Sequence, residues 1–175
     1  GDEAGAKEAL LSCLDADPEA AVVHYELARL ERSAGQWAAA LSAAQQAVSF
    51  AENNPWYRRE LAEICIELGN LDEADKALTW LLENKPEDDI AANMLLELRM
   101  NNGDIKGALE VVQVLEREWG PDPKWDFERH RLRMSVGDFE SGLADLQRLE
   151  QDFPEVVGAP LQRARVLQSL GRNQE

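Results

Sequence analysis

The chain has 175 residues, with 18 basic against 34 acidic side chains and a net charge of −16. That balance argues against the chain as a whole gripping a nucleic-acid backbone, and it favours solubility and basic partners. Apolar residues are 45% of the chain, enough for a core, and 11 Gly with 7 Pro exclude a collagen-like or low-complexity polymer. The chain holds 24 Leu and 24 Ala against 10 Val, 4 Ile and one Thr. Strong helix formers dominate and strand formers are scarce, so the predicted class is all-α.

The first predicted helix starts near Ala4 and carries Ala6, Leu10 and Cys13 on one face before Pro18. A second helix with Leu27 and Ala28 runs to Gly35. From Ser33 to Ala51 there are 19 residues without charge, yet Gln36, Gln45, Gln46 and three serines make this run too polar for hydrocarbon. It reads as a turn followed by an Ala-rich helix. Further helices follow, broken at Asn54-Pro55, Pro86, Gly120-Pro121 and Pro154. Cys13 and Cys65 have no metal-ligand spacing and read as small buried apolar residues. Nothing in the sequence suggests a signal peptide or a membrane-spanning helix, so membrane insertion is not expected of these residues.

Self-similarity organises the whole chain. Gly35, Gly69, Gly103, Gly137 and Gly171 stand 34 residues apart. A polar and then an apolar residue follow four of them, as in Gly35-Gln36-Trp37 and Gly137-Asp138-Phe139. Gly at the end of a helix supplies the left-handed conformation of a tight turn, and the polar residue can cap the next helix. Five residues after each of the first four glycines comes a small residue, Ala40, Ala74, Ala108 or Gly142, which lets two helices approach closely. Ala44, Leu78, Val112 and Leu146, then Ala47, Leu81, Leu115 and Leu149, continue that face. The phase divides the chain into a second helix at 1–20, whole units at 21–54, 55–88, 89–122 and 123–156, and a first helix at 157–175. Such a pattern is expected of a piece cut from a longer array.

These residues resemble the tetratricopeptide repeat (TPR) family, whose helix–turn–helix unit has this Leu/Ala, Gly, Ala, Pro skeleton. The resemblance implies a right-handed superhelical solenoid of antiparallel helix pairs, acting as a non-catalytic scaffold for a protein or peptide partner. The family's first-helix Trp is replaced by His24, Arg58, Ala92 and Asp126, and its Tyr by Glu31, Cys65, Arg99 and Arg133. Arg129 and Arg163 stand where earlier units have Leu, which predicts looser packing of the later first helices. The texture is also similar to TPR stretches of large bacterial envelope proteins. An alternative role is therefore a regulatory or spacer arm of an envelope secretion or polysaccharide-export machine.

Catalytic constellations are absent from the pattern. His24 and His130 lie on different units, and no metalloprotease, serine-hydrolase or phosphate-loop motif occurs, so no catalytic residue, cofactor or metal is expected. Acidic pairs such as Asp72-Glu73 sit at helix starts, where they complement the helix dipole. The resemblance places one side of each first helix on a concave face. There it puts the candidate partner-binding residues Tyr25, Arg29, Arg32, Trp56, Arg59, Asn93, Phe127, Arg131 and Arg165. The 25 positions so assigned hold six basic and three acidic residues, the reverse of the chain's balance. An extended, partly acidic segment with apolar anchors suits that contrast, with nucleic acid excluded as a partner. Arg129, Arg131, Arg133, Arg163 and Arg165 form a second basic cluster. It reads either as a carboxylate or phosphate grip or, preferably, as an exposed helix pair awaiting a stacking neighbour.

Overall fold

A computed structural model describes residues 3–171 of the chain, so the outermost residues of the predicted 1–20 and 157–175 segments lie outside it. The described residues form ten α-helices and no strand. They divide into two compact units, one ending at Met94 and one beginning at Leu95. The first holds α1 (Glu3–Ala16), α2 (Ala21–Ser33), α3 (Trp37–Phe50), α4 (Pro55–Leu68), α5 (Leu71–Asn84) and the start of α6 (Asp89–Asn101). Within it α2 packs on α1 and α3, and α4 packs on α2, α3 and α5. The second holds the rest of α6, then α7 (Ile105–Trp119), α8 (Pro123–Ser135), α9 (Phe139–Asp152) and α10 (Gly158–Ser169). Here α8 packs on α7 and α9, and α10 packs on α9.

The periodic glycines make the turns. Gly35, Gly69, Gly103, Gly137 and Gly171 have φ between 71° and 76°, the left-handed region that side chains avoid. At Gly69 the chain forms a Schellman turn: Gly69 N–H donates to Ile66 O at 3.0 Å, and Asn70 N–H donates to Cys65 O at 2.8 Å. The same pair of bonds recurs around Gly35, Gly103 and Gly137. The polar residue that follows caps the next helix through its side chain at Asp104 and Asp138, but not at Gln36 or Asn70. A shorter carboxylate geometry suits the cap better than a longer amide at Gln36. Asn54 and Asp122 cap α4 and α8, each just ahead of a first-turn proline.

The predicted core faces are buried. Ala40, Ala74 and Ala108 have no exposed surface, and Leu78, Leu81, Val112, Leu146 and Leu149 are equally enclosed. At Gly142 an added Cβ would lie 3.1 Å from Met134 Sδ and 3.4 Å from His130 Nδ1, so α9 lies close to α8 there and a methyl group would require the Met134 side chain to give way. His24 and Arg58, which replace the family's Trp, share one role. His24 Nε2 donates to Pro18 O and Arg58 Nε to Glu52 O, both at 2.8 Å, so each side chain ties its helix to the preceding turn. Cys65 is buried and its thiol is pushed up to about 12 by desolvation, whereas Cys13, expected inside, is exposed. The helix α1 that carries Cys13 has no buried residue at all.

The looser packing expected at Arg129 does not occur. Arg129 is buried among three carboxylates: its Nη1 lies 2.6 Å from Glu116, its Nη2 binds Asp126, and its Nε faces Asp145 at 3.4 Å. Arg148 bridges Asp126 at 2.8 Å and Glu116 at 2.7 Å, and Arg133 holds Asp145 at 2.8 Å. His130 is buried beside them and donates Nδ1–H to Gly142 O at 2.9 Å. Three arginines therefore offset three acids drawn from α7, α8 and α9, and the guanidinium fills the space that Leu takes elsewhere. Desolvation nonetheless raises the Asp126 carboxyl, and it pushes Asp145 up to about 6 against the pull of Arg133.

Two outcomes test this core. Ala74→Leu should overpack the α4–α5 contact and cost about 1–3 kcal/mol, and Leu81→Ala should cost about 2–5 kcal/mol, read from urea unfolding. For Asp145 the folded carboxyl, at about 6, titrates above its ordinary 3.8, so the folded state holds the proton more tightly. Its contribution to stability is smallest above about pH 6 and grows as the pH falls through that value. Asp145→Asn removes this dependence. Wild type should therefore gain stability relative to the variant between about pH 7 and about pH 4.5, and a constant difference would contradict the assignment.

Candidate functional site

In the first unit the start of each first helix carries an apolar residue into solvent. Val22 on α2, Trp56 on α4 and Ile90 on α6 are 57%, 60% and 53% exposed. They occupy one register position, 34 residues apart, directly after Ala21, Pro55 and Asp89. Three residues further along lie Tyr25, Arg59 and Asn93. Arg59 lies over the Trp56 ring at 5.0 Å, and Arg29 over the Tyr25 ring at 5.6 Å. Tyr25 also packs on Tyr57 with ring centroids 4.8 Å apart, which joins the α2 and α4 aromatics in one patch. Burial raises the Tyr25 phenol above its usual range, with Arg29 pulling the other way. Asn93 is exposed, and its side-chain amide donates to Asp89 O at 2.7 Å within its own helix.

The arginines of this face are mostly committed. Arg32 pairs with Glu60 at 2.9 Å and with Glu63, both on α4. Arg59 pairs with Asp88, whose other oxygen accepts from Ala91 N–H at the start of α6. Arg29, by contrast, is half exposed, and its ion pair among the described residues is with Glu26, at 3.3 Å, within its own helix. Desolvation raises the Glu60 carboxyl, with Arg32 opposing. Tyr57 and the acids Glu60 and Asp88 belong to this site, although the sequence reading did not select them. The acid positions carry one signal in the sequence: Glu60 falls in the first-helix stripe that buries Leu61 and Ile64.

In the second unit Phe127, Arg131 and Met134 on α8 face Gly158 and Gln162 on α10 across a pocket of about 430 Å³. Gly158 borders the Phe127 ring, where an added Cβ would make an ordinary contact at 3.6 Å. Arg131 pairs with Glu128 on its own helix, and that hydrogen bond raises its pKa. Arg165 is exposed. The five-arginine cluster is therefore not one anion grip. Arg129 and Arg133 turn inward to acids, Arg163 pairs with Glu150 at 2.8 Å, and only Arg131 and Arg165 are exposed. Nor is it the exposed helix pair expected from the sequence, because α8 lies between α7 and α9. Among the described residues no group of three His, Cys, Asp or Glu side chains is placed to hold a metal ion. No described helix is long and apolar enough to cross a membrane.

The tetratricopeptide repeat family model matches residues 31–98. No curated protein matches the chain in sequence. Among solved structures, the chain is similar to YrrB, described as a TPR protein with an unusual peptide-binding site. The TM-score is 0.62 at 16% identity, over 96% of this chain and 87% of that one. A tetratricopeptide repeat protein from Parabacteroides merdae aligns with a TM-score of 0.67 at 19% identity, over 99% of this chain and 69% of that one. The Naa15/Naa10 structure bound to HypK-THB gives a TM-score of 0.76 at 17% identity, over 98% of this chain but 27% of that one. At such identities the likeness is one of fold, the all-α helical solenoid in which scaffolds for protein–protein interaction are commonly built. The family model on residues 31–98, the recurring glycine turns and the fold of these neighbours together support the resemblance of the chain to the tetratricopeptide repeat family.

Proposed function

We propose that the chain is a non-catalytic scaffold that docks an extended segment of a partner protein on the exposed side of its first helices. The observation that carries this reading is the row of Val22, Trp56 and Ile90 in the first unit. Three large apolar side chains exposed at one register position cost solubility and contribute nothing to the core, which is what a binding surface looks like before its partner arrives. Tyr25, Arg29 and Arg59 border the row, so the segment that fits has apolar residues at intervals and acidic groups near Arg29. Phe127, Arg131 and Arg165 supply a further contact of the same kind in the second unit. Peptide binding in YrrB, as that protein is described, supports the reading by analogy of fold.

Peptides selected from a random display library on the folded chain provide the test. The expected consensus pairs aromatic or aliphatic residues with acidic ones. Trp56→Ala should weaken the selected peptide by about 2 kcal/mol or more, mainly through faster dissociation, with an unchanged melting curve. Arg29→Glu should slow association and flatten its salt dependence. Arg59 is a poor probe because its pair with Asp88 is structural. Peptides that bind both variants like wild type would move the site elsewhere, and a Trp56→Ala chain that unfolds would make Trp56 a core residue.

A further inference from the structure

The exposed row on the first helices has a step length, and that length selects a backbone. Val22, Trp56 and Ile90 stand on α2, α4 and the start of α6, all inside the first unit. The helix α4 packs directly on α2. Arg59 of α4 also pairs with Asp88, whose other oxygen accepts from Ala91 N–H at the start of α6. Axes of packed helices lie about 8–10 Å apart, so equivalent side chains on α2 and α4 are separated by about that step. The repeat carries the same step on to α6.

A β-strand brings side chains to one face every second residue, at about 7 Å and about 13 Å, and misses that step. A polyproline II helix rises about 3.1 Å per residue, so every third side chain returns to one face after about 9 Å. An α-helix returns after about 10.5 Å, but its backbone bonds are all internal. The chemistry around the row separates these last two. Bordering it are the indole N–H of Trp56, the hydroxyls of Tyr25 and Tyr57 and the half-exposed Arg29 guanidinium, all able to donate. The carboxylates of this face are engaged: Glu26 holds Arg29, Glu60 and Glu63 hold Arg32, and Asp88 holds Arg59. A proline-rich segment has solvated carbonyls and few N–H groups, so it takes donors and needs few acceptors in return. Its rings also dock on aromatic surfaces, which Tyr25, Tyr57 and Trp56 supply on adjacent helices.

We infer, resting on the docking surface proposed above, that its occupant is a proline-rich segment in the polyproline II conformation. Apolar side chains at every third position seat against Val22, Trp56 and Ile90. An acidic side chain of the same segment meets Arg29, whose ion pair with Glu26 leaves it half exposed. Such a segment is extended before it binds, so little ordering entropy opposes its capture on an open surface.

Fluorescence anisotropy of labelled synthetic peptides on the whole chain is the test. The probe has leucine at every third position, proline between, and an aspartate at each end. Two controls share its length and charge: one places leucine at every second position, and one replaces every proline with alanine. The probe should bind at least about tenfold more tightly than either control. Trp56→Ala should weaken it at least about tenfold with an unchanged melting curve, and Val22→Ser and Ile90→Ser should each weaken it without touching the indole. A probe that binds no better than its controls, or not at all, overturns the inference. If library-selected peptides without periodic proline nonetheless lose affinity on Trp56→Ala, the docking surface stands and the proline-rich occupant falls. A probe whose affinity survives all three substitutions overturns both.

Discussion

The structure depends on a backbone constraint more than on any side chain: at each turn from a first helix to its second helix the chain enters the left-handed region for one residue. Gly35, Gly69, Gly103 and Gly137 each do so within two hydrogen bonds to the end of the preceding helix. The reversal brings the next helix back along its partner at a fixed offset. Five residues on, a small side chain meets the older helix, and at Gly142 an added methyl group would press on the Met134 side chain. Everything else follows that register, including which positions are sealed and which face solvent.

The periodic glycines and the Ala/Leu faces were readable because they answer to local rules that recur every 34 residues. What the sequence did not disclose is how single departures are accommodated. Arg129 in a Leu position suggested a loosened helix, yet it sits in a neutralised cluster whose acids, Glu116, Asp126 and Asp145, come from three helices. No spacing rule in one helix reports on charges arriving from its neighbours. His24 and Arg58 likewise replace an aromatic residue with a bond to the carbonyl six residues earlier, a substitution of mechanism that composition conceals.

The candidate surface was legible in its aromatic members and misjudged in its charge. Trp56 and Tyr25 lie where the repeat phase puts them, with Val22 and Ile90 completing an exposed row. Counting arginines along that face overstated its positive character, because Arg32 and Arg59 are paired with Glu60, Glu63 and Asp88. Arg29 remains the accessible cation of the first unit's patch. Under the proposed function, recognition there rests on apolar side chains held in register, with charge in a steering role.

The turn constraint can be measured at Gly69, where no heavy atom outside the immediate chain lies within 4 Å of an added Cβ, so a substitution reports on backbone conformation alone. The stability of Gly69→Ala and Gly69→Asn, from urea unfolding, is the direct test. The account predicts that Ala costs about 1–2 kcal/mol, with Asn, which tolerates the left-handed region, falling between Ala and wild type. An alanine variant as stable as the parent would show that the left-handed glycine does not set the turn, and would contradict the account.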